Sequence, residues 1–261
     1  MPPPSSQRYI TTVPVYKTRP SQTEAFSLLQ LRFLGIQNVT LVYPEGLDLA
    51  AYLELWPELK MQAYAPEHFL SIQSYNDLVI SPTFYAPFAK AYDYLLIYQL
   101  DAFLLSNQVL EFCNKGYDYY GAPWKVGFPQ YRFLFNKWPI HLNFKRFYVG
   151  NGGLSLRKIA STLDLLERKA GHISKTFFIE DAFFGYWGVV DPYFHACPPH
   201  IAAKFSLEME PDYWIDKTGS LPMGFHGFEV WHKDFYNSLV QEKYLELAKA
   251  YPLLKNYRSQ K

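Results

Sequence analysis

A chain of 261 residues with 25 Lys and Arg against 24 Asp and Glu is long enough to bury a sizeable core. It carries almost no net charge, which removes the global electrostatic case for a nucleic-acid partner. Two cysteines, Cys113 and Cys197, form neither a disulfide framework nor a metal-ligand spacing, and no apolar run approaches the roughly 20 residues that span a bilayer. The sequence predicts one domain over residues 1–261, cytoplasmic and at most peripherally attached to a membrane, with a disordered start at 1–7 and a C-terminal helix and tail at 233–261. Its 22 Tyr and 21 Phe suit sugar and nucleobase faces, although an aromatic core would give the same count.

Ile10 to Val15 reads as a first strand. Ser21 and Glu24 then form a capping box for a helix whose apolar positions Phe26, Leu29, Phe33 and Leu34 share a face and which Gly35 ends. Val39 to Tyr43 follows as a second strand, so the segment is a βαβ unit with parallel strands. A short helix at Leu49–Leu55, a third strand at Met61–Ala65 and helical pieces over Tyr75–Lys90, broken by Pro82 and Pro87, lead to Tyr94–Leu100. This apolar and tyrosyl run reads as a strand buried on both faces of a parallel sheet. It stops at Asp101, at the sheet edge where open α/β folds place their ligand crevice; the tip of the first strand, Thr12 to Lys17, shares that edge. A cap of the next turn accounts for Asp101 equally well.

Val109–Asn114 reads as a helix and Gly116–Pro123 as strand plus turn ending at Trp124. From Tyr119 to Leu163 there is no acid, while Lys125, Arg132, Lys137, Lys145, Arg146, Arg157 and Lys158 interleave with aromatic residues, a pattern that suits an anionic partner. Gly150-Asn151-Gly152-Gly153 allows close backbone approach to a ligand but is neither a dinucleotide fingerprint nor a phosphate loop, and a helix over Arg157–Ala170, closed by Gly171, is expected after it. Glu180 and Asp181 open an aromatic helix, where acids also serve as simple N-terminal caps. His226 lies in Gly224-Phe225-His226-Gly227, a setting open to a ligand.

Taken in order, the strand ending Gln99-Leu100-Asp101, the glycine segment, the Glu180–Asp181 pair and the late histidine resemble a GT-A-type glycosyltransferase. More closely, SYNDLVISPTFY, YDYLLIYQLDAF, GYDYYGAPW, VGNGGLSLRK and EDAFF are similar to a family of largely uncharacterised bacterial proteins linked to surface-polysaccharide synthesis, and the resemblance covers residues 8 to 230. It implies an α/β fold of GT-A type, with a mostly parallel central sheet flanked by helices, and transfer of a sugar from a nucleotide donor, a uridine diphosphate sugar foremost, to a surface polysaccharide or lipid-linked glycan. Gln99 stands where the usual Asp-x-Asp motif has its first carboxylate.

The resemblance further implies a divalent cation, Mn²⁺ or Mg²⁺, on Asp101 and His226, the imidazole favouring Mn²⁺. It implies Asp181 as the base of an inverting reaction, retention staying open, with Glu180 positioning acceptor or backbone. Thr12, Val13, Tyr75, Asn76, Gln99 and Asp101 would meet the donor. Trp124, Asn151, Gly152 and Gly153, with the bases Lys137, Lys145 and Arg146, would meet an anionic acceptor or the anionic membrane on which it is assembled. A sugar-nucleotidyltransferase and a noncatalytic carbohydrate-binding protein are the alternatives. The first calls for a Gly-rich basic loop after the opening strand, which Pro14–Thr18 does not supply.

Overall fold

The strand YITTVP, rich in β-branched residues, becomes the pivot of the sheet. In the computed structural model, which describes residues 8–129, 146–176, 179–230 and 232–257, β1 (Tyr9–Pro14) is followed by α1 (Gln22–Phe33), β2 (Val39–Pro44), α2 (Ala50–Leu55) and β3 (Lys60–Tyr64). A 3₁₀ turn at Pro66–Phe69, α3 (Ile72–Val79) and α4 (Pro82–Tyr85) then carry the chain to the other side of β1, where β4 (Tyr94–Tyr98) pairs. Next come β5 (Ala102–Leu104), α5 (Val109–Lys115), β6 (Tyr119–Tyr120), β7 (Ala122–Pro129), β8 (Arg146–Gly150) and β9 (Leu154–Lys158). The last elements are α6 (Ile159–Thr176), α7 (Glu180–Val190), α8 (Pro199–Phe205), β10 (Ser206–Leu207), α9 (Pro211–Thr218), β11 (Gly224–His226), α10 (Lys233–Ala250) and a 3₁₀ turn at Pro252–Tyr257.

The main sheet runs in the order β3-β2-β1-β4-β9-β6. β1, β2, β3 and β4 are mutually parallel, whereas β9 pairs antiparallel with both β4 and β6. The sheet is thus mostly parallel, as expected, with β9 as its antiparallel member. All five β4 residues are buried, but burial alone does not fix the direction of a neighbour. Because β2 and β4 lie on opposite sides of β1, strand order reverses between β1 and β4, and that reversal opens a crevice at the strands' C-terminal ends. β10-β11-β5 forms a second, three-stranded sheet, and β7 and β8 pair as a two-stranded ribbon.

Local signals explain α1. The Ser21–Glu24 capping box forms, and Gly35 adopts φ +66° after the helix. Its buried face is wider than the apolar stripe: Ser27 and Gln30 are fully buried because they donate to the Ala102 and Leu104 carbonyls of β5, while Phe33 is 44% exposed instead of facing the core. Tyr98 at the end of β4 hydrogen-bonds Ser27 and the Ala102 carbonyl, at 2.8 and 2.9 Å. These bonds clamp the turn Gln99–Asp101 between β4 and β5. The helix expected over Arg157–Ala170 also differs: Arg157 belongs to β9, and α6 passes through Gly171, which keeps ordinary helical backbone. Among the described residues no helix is long and apolar enough to cross a membrane.

Candidate functional site

A cleft of about 620 Å³ lies at the β1/β4 reversal, walled by Pro14–Lys17 after β1 and by Gln99–Asp101 after β4. Tyr75 and Asn76 of α3 line it as well, and Leu70 and Ile72 at its lip are 81 and 82% exposed. Thr12 and Val13, expected at the donor, are fully buried within β1, where Thr12 Oγ1 donates to the Leu96 carbonyl of β4. The following residues form the wall instead, because only past Pro14 does the chain leave the sheet.

Strand register brings His226 to Asp101. β11 pairs antiparallel with β5 so that His226 faces Ala102, and the Gly227 amide donates to the Asp101 carbonyl at 3.0 Å. His226 Nε2 then lies 3.2 Å from Asp101 Oδ1, an ion-pair contact off the line of a good hydrogen bond. On its other side Nδ1 is 3.0 Å from Glu208 Oε1, which follows β10, the parallel neighbour of β11. Burial by itself would lower the His226 pKa, but the two carboxylates outweigh it and push it up to about 10. Asp101 is held below its ordinary value because His226 outweighs the opposing effect of burial. A carboxylate–imidazole–carboxylate line is the arrangement of a metal-binding histidine oriented by an outer carboxylate, and a cation there would take the place of the Nε2 proton. Asp101 and His226 thus fit a cation as a two-residue donor set. Among the described residues no group of three or more His, Cys, Asp or Glu could hold a metal ion; oxygens of a bound diphosphate would have to complete the shell.

The glycine segment separates this pair from the acids. Asn151 has φ 104° and is buried, its Oδ1 accepting from the Gly153 and Leu154 amides at 2.8 and 3.2 Å. Its oxygen is thus spent on its own turn, while Nδ2 is buried without a hydrogen-bond partner among the described residues. A Cβ on Gly152 would overlap Glu180 Oε1, and one on Gly153 would overlap His226 Nε2. These glycines let the backbone run between the acidic pair and the imidazole.

Glu180 and Asp181 occupy the first turn of α7, whose cap residue Ile179 makes no side-chain cap. Glu180 is buried and paired with Arg157 Nη2 at 2.6 Å; Asp181 Oδ1 accepts from the Ala182 amide at 2.6 Å. Burial and then the neighbouring Glu180 charge push the Asp181 carboxyl up to about 7, against hydrogen bonds from the Ala182 and Asn151 backbone. A carboxyl titrating there can both take and release a proton near neutrality.

Among the described residues, the bases of the acid-free window do not form one basic surface. Arg157 is wholly buried against Glu180, Lys158 Nζ lies 3.9 Å from Asp118, Lys125 lies over the Tyr213 ring, and Arg146 donates to the Val126 and Gly127 carbonyls. Sequence distance concealed these partners. Lys137 and Lys145 lie outside the described residues. Trp124 is buried against Gly150, Phe128 and Phe147, so its ring is no exposed stacking platform. Glu208 and the role of Arg157 had no local signal, because strand pairing and the buried ion pair join residues far apart in sequence.

Among solved structures, apo mouse xyloside xylosyltransferase 1 is similar at 14% identity, over 84% of this chain and 97% of that one, with a TM-score of 0.52. Galactosyltransferase LgtC in complex with donor and acceptor sugar analogs gives 12% identity over 83% and 86%, TM-score 0.48. A cytidylyltransferase from Leptospira borgpetersenii serovar Hardjo-bovis gives 14% over 74% and 76%, TM-score 0.41. The fold is that of the GT-A nucleotide-sugar transferases, a mixed α/β architecture with a mostly parallel central sheet. No curated protein matches the chain. The model of the family described as Protein of unknown function (DUF5672) matches residues 58–226, and the chain belongs to that family.

Proposed function

We propose that this protein is a single-domain bacterial glycosyltransferase that moves a sugar from a uridine diphosphate donor to a surface polysaccharide or lipid-linked glycan, at the cytoplasmic face of the membrane. One observation carries the proposal: the β1/β4 cleft ends at the turn where the Asp101–His226 pair and the Glu180–Asp181 pair flank Gly152–Gly153. Nucleoside and diphosphate occupy the cleft between Pro14–Lys17 and Gln99–Asp101, with Tyr75 and Asn76 on its wall. Asp101 and His226 would hold Mn²⁺, or Mg²⁺, and such an ion supplies Lewis-acid stabilisation to the departing diphosphate. Gln99 offers only an amide, so the protein's charge toward the cation rests on Asp101.

Asp181, ionised, takes the proton of the acceptor hydroxyl as that oxygen bonds to the anomeric carbon and the bond to the diphosphate oxygen breaks; attack opposite the leaving group inverts the centre. A noncatalytic binding protein has no use for a carboxyl held near neutrality. The acceptor lies on the side of Asn151–Gly153, and Lys137 and Lys145 favour an anionic one.

A thermal-shift panel of nucleotides and nucleotide sugars, each with and without Mn²⁺, tests this. A uridine diphosphate ligand at about 100 times its dissociation constant contributes about 2.7 kcal/mol, or roughly 5–10 °C for a chain this size. Absence of a shift with every nucleotide, with and without Mn²⁺, refutes the donor assignment.

A further inference from the structure

We propose that Arg157 is a positioning residue that divides the roles of the two adjacent acids, fixing Glu180 in place through their ion pair so that Asp181 is the one free to exchange a proton. This rests on Asp181 as the base. The geometry comes first. Arg157 is fully buried on β9, with Nη2 2.6 Å from Glu180 Oε2 and 3.1 Å from Ser155 Oγ, and Nη1 2.8 Å from the Tyr85 hydroxyl. Phe184 and Tyr119 lie against the guanidinium, 4.4 and 5.8 Å from ring centre to Cζ. The fork is thereby immobilised, while its Nε finds no partner. A buried ion pair with an unsatisfied donor is a poor source of stability compared with apolar packing, so its presence points to another use.

That use follows from what surrounds Asp181. It is faced by Glu180 on its own helix, by Glu208 beyond β10 and by Tyr119 on β6. From α3, Tyr75 reaches the Glu180–Arg157 pair, while Asp77 bonds Gln73. On β8, Arg146 is turned away onto the carbonyls of Val126 and Gly127. The guanidinium contacts Glu180 alone of the two acids. Two neighbouring buried carboxyls cannot both ionise freely, and the one with the cation keeps its charge. Glu180 Oε1 also abuts Gly152, so the same ion pair holds the backbone spacer in front of His226.

Site-resolved ¹³C-carboxyl NMR titration tests this without donor or acceptor. In the wild type, Asp181→Asn should remove the near-neutral carboxyl titration. In an Arg157→Met background that titration should survive Asp181→Asn, because the proton moves to Glu180, and Arg157→Lys should return it to Asp181. Should Arg157→Met fail to fold, Glu180→Gln gives the same answer: with the anion gone and the cation left, Asp181 should titrate lower by about one pH unit or more. An Asp181 titration unchanged in Glu180→Gln, or still removed by Asp181→Asn in Arg157→Met, overturns the proposal. If the titrations move as expected while Asp181→Asn still transfers sugar, the division of charge stands and the base assignment falls.

Discussion

Asp181 combines two properties that usually compete, since the environment that raises its carboxyl from the ordinary 3.8 to about 7 also penalises its ionised form. A raised folded-state value favours the protonated acid. Its contribution to stability is complete below the unfolded-state value near 3.8 and disappears as pH rises through about 7. Asp181→Asn should therefore raise stability at pH 8, by about 1–3 kcal/mol, with the gain vanishing near pH 4. Denaturant melts at the two pH values measure this, and a loss of stability at pH 8 would count against the buried, crowded carboxyl. Transfer by the wild type should rise with pH through about 7, and the variant should lose transfer while keeping donor affinity.

At the scale of elements, the turn Asn151–Gly153 and the start of α7 act as one unit. Gly152→Ala forces a methyl against Glu180 Oε1, which the Arg157 ion pair prevents from moving, so a cost of about 1–3 kcal/mol is expected. In a Glu180→Ala background the same substitution should cost less, and the difference, measured by a double-mutant cycle, reports the contact. Equal costs in both backgrounds would show that the glycine is needed only for its backbone. Elements were legible where the deciding interactions are local: Ser21 and Glu24 mark the start of α1, and the apolar run 94–100 marks β4 with Asp101 just beyond its edge. Phe33 was misplaced because Ser27 and Gln30 are buried by bonds to β5, which no apolar stripe reveals. The antiparallel course of β9, the Glu208–His226 bond and the Arg157–Glu180 pair arise from contacts between distant segments, and the local pattern carries no trace of them.

For the whole molecule, near-zero net charge means that salt should act only through local fields. Arg157, Lys158, Lys125 and Arg146 each have a partner among the described residues, so the proposed attraction of an anionic acceptor or membrane is tested through ionic strength. Raising ionic strength, where the Debye length is already about 8 Å at physiological salt, should raise the apparent acceptor Michaelis constant and leave slow donor hydrolysis unchanged. An acceptor constant independent of salt removes the electrostatic role.

The most direct measurement combines donor binding and donor consumption in three proteins: wild type, Asp101→Asn and Asp181→Asn, each with a uridine diphosphate sugar and Mn²⁺. Calorimetry should find binding in the wild type and in Asp181→Asn, and binding weakened on the order of 100-fold in Asp101→Asn. Release of nucleoside diphosphate on adding acceptor should be confined to the wild type. Equal binding and turnover in all three proteins would contradict the account, because neither carboxylate would then be doing the chemistry that the cleft and its closing turn assign to it.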